Sequence, residues 1–250
     1  MKTLAVLLLC ALLCTFATGA AVAAEIKILS AGAVEPGLRA AVAAYKKQSG
    51  NDVNITFNTA PEIRKRVGGG EAFDVVIAPP AALDEFAAAG KLAADRVALG
   101  RVGLGVAVRP GAPVPDISSS EALKRSVLQA ESIVFNRAST GIYLENLFKK
   151  MGIYEQIEPR TTRYPDAAAV MEHVLKGKGR EIGFGPVTEI LLQREKGLKL
   201  VGPLPPEVQN YTSYSAVPMT AAANAELARA FVRYLGSAEA KALLVAAGID

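Results

Sequence analysis

The chain has 250 residues, with 28 Lys and Arg against 24 Asp and Glu, a formal charge of +4 and 51% hydrophobic residues. This mildly basic balance, without Lys/Arg blocks or an aromatic–basic platform, excludes a nucleic-acid binder, and the length is enough for two lobes that each bury a core. Both cysteines, Cys10 and Cys14, fall within the first 24 residues, so the remainder offers no disulfide, thiolate nucleophile or thiolate metal site.

Residues 1–24 read as a signal peptide. Lys2 is a positive start, residues 4–13 form an apolar run, and small residues at 21–24 set cleavage near Ala23/Ala24. Leu9 and Leu13 precede the two cysteines, where a lipid-anchored protein needs small residues. The expectation is an exported, periplasmic protein, with a core large enough to stand without disulfides. Lys2 is the only charged residue before Glu25, so cleavage lowers the charge from +4 to +3.

From residue 25 onward, short apolar strands alternate with helical segments. A β run at 26–29 breaks into Ser30, Ala31, Gly32 and Ala33, and an amphipathic helix follows. Small residues there admit a ligand close to the main chain, and the free amides of a helix start favour an anion. A strand at 52–57 leads to Asn58, Thr59 and Ala60, with Pro61 near the first helical position. The wholly apolar strand 74–78 ends at Pro79 and Pro80. This alternation predicts parallel α/β sheets with ligands at the carboxyl ends of the strands.

A β run at 101–108 is followed by a Pro/Gly cluster at 109–115, read as the crossing into a second lobe. The strand 132–135 enters a polar loop containing Arg137, Ser139, Thr140 and Gly141. Ser139 or Thr140 is expected to cap the next helix, leaving the amides of residues 140–142 free. Residues 166–175 form a helix, and the strand 181–184 breaks at Gly185 and Pro186. A second Pro/Gly cluster at 202–206 marks the return crossing, the polar segment 209–214 includes Tyr211, and Ala-rich helices close the chain. The predicted organisation is lobe I at 25–108 and 210–250, and lobe II at 109–209.

The segments IKILSAGA, FDVVIA at 73–78, STGIYLENLFKKMGI at 139–153, EIGFGP at 181–186 and the region of Tyr214 resemble the exported solute-binding proteins of ABC importers, the molybdate/tungstate-binding type in particular. The resemblance runs from residue 25 to the C-terminus. It implies an α/β, two-lobed periplasmic binding protein fold (type II), each lobe a mostly parallel sheet flanked by helices. It also implies a tetrahedral oxyanion held between the lobes by hydroxyls and amides, and an ABC permease as partner. Three positions depart from that pattern: Ala33 stands where molybdate binders carry Ser, residues 58–61 replace a Ser-rich loop, and Pro186 lies near the place of a Tyr.

The ligand is therefore expected to be either an oxyanion or an organic carboxylate. Two readings follow: a monomeric carrier that closes over its anion, or an exported enzyme similar to aconitate isomerase, which shares the scaffold. An isomerase needs an acid and a base, and Glu62, Arg64, Tyr143 and Tyr211 are the groups near the strand tips. The expected ligand-binding set is Ser30, Ala31, Gly32, Ala33, Asn58, Thr59, Ala60, Arg64, Pro79, Arg137, Ser139, Thr140, Gly141, Gly185, Pro186 and Tyr211. No cofactor or metal is expected; no metal-ligand cluster surrounds the single histidine, His173, which reads as a mid-helix residue.

Overall fold

The computed structural model describes residues 25–250. The expected signal peptide, residues 1–24, lies outside these residues. The strands are β1 (Glu25–Ala31), β2 (Asp52–Asn58), β3 (Val75–Ala78), β4 (Val97–Val108), β5 (Ser132–Asn136), β6 (Thr161–Tyr164), β7 (Glu181–Pro186), β8 (Lys199–Pro203) and β9 (Tyr211–Pro218). The helices are α1 (Glu35–Ser49), α2 (Ala60–Gly68), α3 (Pro80–Ala88), α4 (Ser120–Gln129), α5 (Ser139–Lys150), α6 (Tyr154–Ile157), α7 (Ala167–Lys176), α8 (Val187–Leu192), α9 (Ala225–Leu235) and α10 (Ala238–Ala246).

The strands follow one path, β2-β1-β3-β9-β4-β7-β5-β6, with β8 on β4. In the first half β2, β1 and β3 are parallel, and β9 is antiparallel to β3. In the second half β6, β5 and β7 are parallel, and β4 runs antiparallel to β7 and β8. Parallel strands buried on both faces need apolar runs, and β3 is buried at every position. Each half has its own core: Ile28, Leu29, Val76, Ile77 and Phe231 in the first, and Phe135, Phe148 and Phe184 in the second. The second is knitted by edge-to-face rings, with Phe148 5.6 Å from Phe184.

The path passes between halves inside β4. Residues 97–103 pair with β9, whereas Leu104 to Ala107 pair with β7. The change of partner therefore falls at Gly103/Leu104, ahead of the 109–115 cluster where the sequence places it. A single strand of 12 residues serves both sheets. Gln209 closes the return crossing by mimicking a strand partner: its Oε1 accepts from Leu104 N at 2.9 Å and its Nε2 donates to Leu104 O at 3.0 Å. A Cβ on Gly103 would lie 3.0 Å from Tyr211 Cε1, so glycine permits this close passage. The C-terminus joins the same region, Asp250 exchanging backbone hydrogen bonds of 2.7 and 3.0 Å with Arg101.

Candidate functional site

A cleft of about 450 Å³ opens between the two halves, within the roughly 300–1,000 Å³ range of small-ligand sites. The first half contributes Ala31, Gly32 and Ala33 after β1, Asn58, Thr59 and Ala60 after β2, and Pro79 after β3. The opposite wall is Ser139 and Thr140 at the start of α5, Asp166 to Ala168 at the start of α7, and Pro186 and Glu189 around the start of α8. Tyr214 on β9 also lines it. These are carboxyl ends of parallel strands and the helix starts that follow, as α/β topology dictates.

Four helices of at least nine residues, α1, α2, α5 and α7, begin at this gap. Among the described residues no acceptor is found for the backbone amides of Ala60, Ser139, Thr140, Ala167 and Ala168. Each helix start carries roughly half a positive charge, about +2 in all. Among the described residues no Lys or Arg lines the cleft. Attraction for an anion therefore comes from the main chain, supplemented by the hydroxyls of Thr59 and Ser139, which cap no helix.

Asn136, only 4% exposed, organises the α5 side. Its Oδ1 accepts from the amides of Ala138 and Gly141, both at 3.0 Å, and its side chain bonds the Thr140 hydroxyl. The helix start is consequently capped from Asn136, with neither Ser139 nor Thr140 in that role. The Gly141 amide is taken, and that of Ile142 donates to Ala138 O at 3.0 Å. The free amides are thus those of residues 139 and 140, one residue earlier than expected. Gly141 is required here because a Cβ would collide with the Asn136 carbonyl.

Ten of the sixteen expected residues line the cleft: Ala31, Gly32, Ala33, Asn58, Thr59, Ala60, Pro79, Ser139, Thr140 and Pro186. Six do not. Ser30 is buried, its hydroxyl donating to Ala31 O at 3.2 Å. Arg64 turns away to Glu85 at 2.7 Å, and Arg137 is exposed outside the lining. Gly141 is buried behind Asn136, and Gly185 lies within β7 opposite Gly105. Tyr211 is 44% exposed under the Arg101 guanidinium. Of the other acid–base candidates, Tyr143 donates to Val208 O at 2.8 Å away from the cleft, while Glu62 sits at its rim, 3.6 Å from Lys65.

Four carboxylates line the cleft: Glu35, Glu62, Asp166 and Glu189. Glu35 is paired with Arg39 at 2.7 Å, and Asp166 accepts from Ala169 N at 2.9 Å as the cap of α7. Glu189 has no hydrogen-bond or ion-pair partner among the described residues. Solvent reaches it in part, from the cleft that it lines. Burial among protein atoms, with the charges of Asp166 and Glu35, pushes its carboxyl up to about 8. Burial and the neighbouring Glu189 raise Tyr214 well above the usual phenol range, so it stays a neutral donor. Spacing to known motifs does not reveal Glu189; its only sequence signal is a carboxylate in the first turn of a helix that starts at a predicted strand tip.

A second hollow of about 250 Å³, lined by residues such as Val114, Arg125 and Arg180, draws all its walls from the second half. It cannot be closed by movement of one half on the other.

The profile of the family described as "Bacterial extracellular solute-binding protein" matches residues 26–250. A protein of Pseudomonas sp. named aconitate isomerase is 32% identical over 229 residues, covering 89% of this chain and 86% of that protein. Among solved structures, the periplasmic molybdate-binding protein of Azotobacter vinelandii aligns with a TM-score of 0.76 at 16% identity, over 90% of this chain and 99% of that one. The sulfate-binding protein of Mycobacterium tuberculosis aligns at 0.72 and 16% identity, over 90% and 86%. These likenesses establish the two-lobed periplasmic binding protein fold.

Proposed function

The chain belongs to the bacterial extracellular solute-binding protein family, and on that premise we propose that its cleft captures a small polycarboxylate and isomerises its double bond, as the similar aconitate isomerase does. The observation that carries the reading is the combination of free main-chain donors from both halves with a single unpartnered carboxyl, Glu189, facing the same gap. A passive anion carrier has no use for a carboxyl that gains and loses a proton near neutral pH. In a proton-transfer enzyme it is the group the chemistry requires.

The walls support a carboxylate over a tetrahedral oxyanion. Ala31, Ala33, Ala60, Ala138, Ala167 and Ala168 line the cleft, presenting methyl groups and width in place of a tight ring of hydroxyls. A site built from hydroxyl donors discriminates strongly against guests that leave them unpaired, and here few such donors exist.

In this reading the protein is exported through cleavage near Ala23/Ala24, works as a monomer in the periplasm, and closes its halves about the Gly103/Leu104 and Gln209 crossings. Closure excludes water and aligns the amides on the guest. The test is incubation of the purified protein with cis- and with trans-aconitate, following interconversion by proton NMR. Either isomer should yield the other.

Family membership favours a second reading, a carrier that hands its anion to an ABC permease. Tight aconitate binding without interconversion is the result that selects it.

A further inference from the structure

Resting on the isomerase reading, we infer that Glu189 is the catalytic base and acid of a one-base allylic proton transfer, with the Tyr214 hydroxyl donating to the charge that develops. Three of the four cleft carboxylates are already engaged, Glu35 by Arg39, Asp166 by Ala169 N and Glu62 by Lys65. Among the described residues Glu189 is the one cleft carboxylate with no hydrogen-bond or ion-pair partner. It lies beside the β1 tip: a Cβ on Gly32 would be 3.6 Å from its Oε1, so the absence of a side chain at Gly32 leaves the carboxyl open to the gap.

The step balances without any further reactant. A Glu189 oxygen takes a proton from the methylene carbon next to a carboxylate. The released C–H pair forms a new C=C bond while the original double bond opens, its electrons delocalising onto the carboxylate of the dienolate. Glu189 then returns the same proton to the far carbon of the allyl unit. Nothing is oxidised or reduced, and the protein ends as it began. Tyr214, 6% exposed and neutral, cannot serve as the base. It donates a hydrogen bond as charge accumulates on the guest oxygen.

The environment of Glu189 matches this task. Facing it are Glu35 from α1, Asp166 from the start of α7 and Tyr214 from β9. The other elements packed on α8 carry Arg101 on β4, Glu181 on β7, Lys199 on β8, the residues Glu172, His173 and Lys176 on α7, and Arg194, Glu195 and Lys196 in the turn after α8. None of these lines the cleft. A carboxylate of raised basicity is better suited to a carbon acid than an ordinary one, while remaining ionised in part near neutral pH.

The test compares the wild type with Glu189→Gln and Glu189→Asp. Binding is read with tricarballylate, the saturated analogue, and turnover with cis-aconitate. For Glu189→Gln the expected result is retained tricarballylate binding with interconversion reduced by about 10²–10⁴-fold. Glu189→Asp, which keeps an ionisable group drawn back by one methylene, should retain more activity than Glu189→Gln. The wild-type kcat/KM should rise with pH through the range below 8, be half-maximal near 8 and level off above it. Interconversion by Glu189→Gln at near wild-type rate overturns the assignment of Glu189 while leaving the isomerase reading intact. If that variant does not fold, a wild-type kcat/KM independent of pH between 6 and 9 overturns it instead. A wild type that binds tricarballylate yet never interconverts aconitate overturns the isomerase reading, and the assignment with it.

Discussion

Thr188 Oγ1 donates a hydrogen bond of 2.6 Å to the carbonyl of Ala33, a buried contact between residues 155 positions apart in the chain. It joins the first turn of α8 to the loop after β1 and holds Glu189 beside Gly32 in this arrangement of the halves. Thr188→Val keeps the shape and deletes the donor, leaving a buried carbonyl unpaired. The expected cost is about 1–3 kcal/mol in denaturant unfolding, with weaker tricarballylate binding because the two walls lose their common reference.

The α5 start depends on Asn136 and Gly141 as a pair. Asn136→Ala strips the acceptor from the amides of Ala138 and Gly141 and is expected to cost about 1–2 kcal/mol, the scale of a lost helix cap. Gly141→Ala drives a methyl group into the Asn136 carbonyl. It should yield little soluble protein, or a chain whose calorimetric transition lies far below the wild type's.

Glu189 also makes stability depend on pH. Its folded pKa of about 8 lies above the ordinary value of 4.5. Below 4.5 the carboxyl is neutral in both states and nothing is lost. Between 4.5 and 8 the unfolded chain ionises while the folded protein holds its proton, so stability of the ligand-free protein falls as pH rises through that window, then levels off. Partial solvent contact limits the effect to a few kcal/mol at most. Melting curves of Glu189→Gln should lack this slope.

Much of this arrangement was legible from residue types alone. Strand–helix alternation fixes the parallel sheets, and Ser/Ala/Gly-rich junctions such as 31–33 and 139–140 mark the strand tips, because a turn and a helix start impose local chemistry. Long-range choices were not legible. Whether Arg64 points to the gap or to Glu85 depends on where α3 packs against α2, and β4 changes sheets within an unbroken strand, where Gly103 and Gly105 read as ordinary strand positions. The first part of β9 reads as a polar segment, since its residues are exposed or only partly buried. Glu189 stayed hidden because a carboxylate in a first helical turn is ordinary until the opposite wall removes its water.

The two arginines singled out in the sequence provide a control. Arg64 forms an exposed ion pair with Glu85 and Arg137 is exposed. Exposed pairs contribute about 0–1 kcal/mol, and screening limits their reach to roughly 8 Å at physiological salt. Arg64→Ala and Arg137→Ala should therefore leave tricarballylate affinity near the wild-type value in calorimetric titration.

In the proposed complex one anion is held by main-chain donors from both halves at once. Titrating tricarballylate into uniformly ¹⁵N-labelled protein tests it most directly, through the amide resonances of Gly32, Ala33, Ala60, Ser139, Thr140 and Ala168. All six should move together along one saturable binding curve. Shifts confined to one half, or centred on the hollow around Arg125 and Arg180, would contradict it.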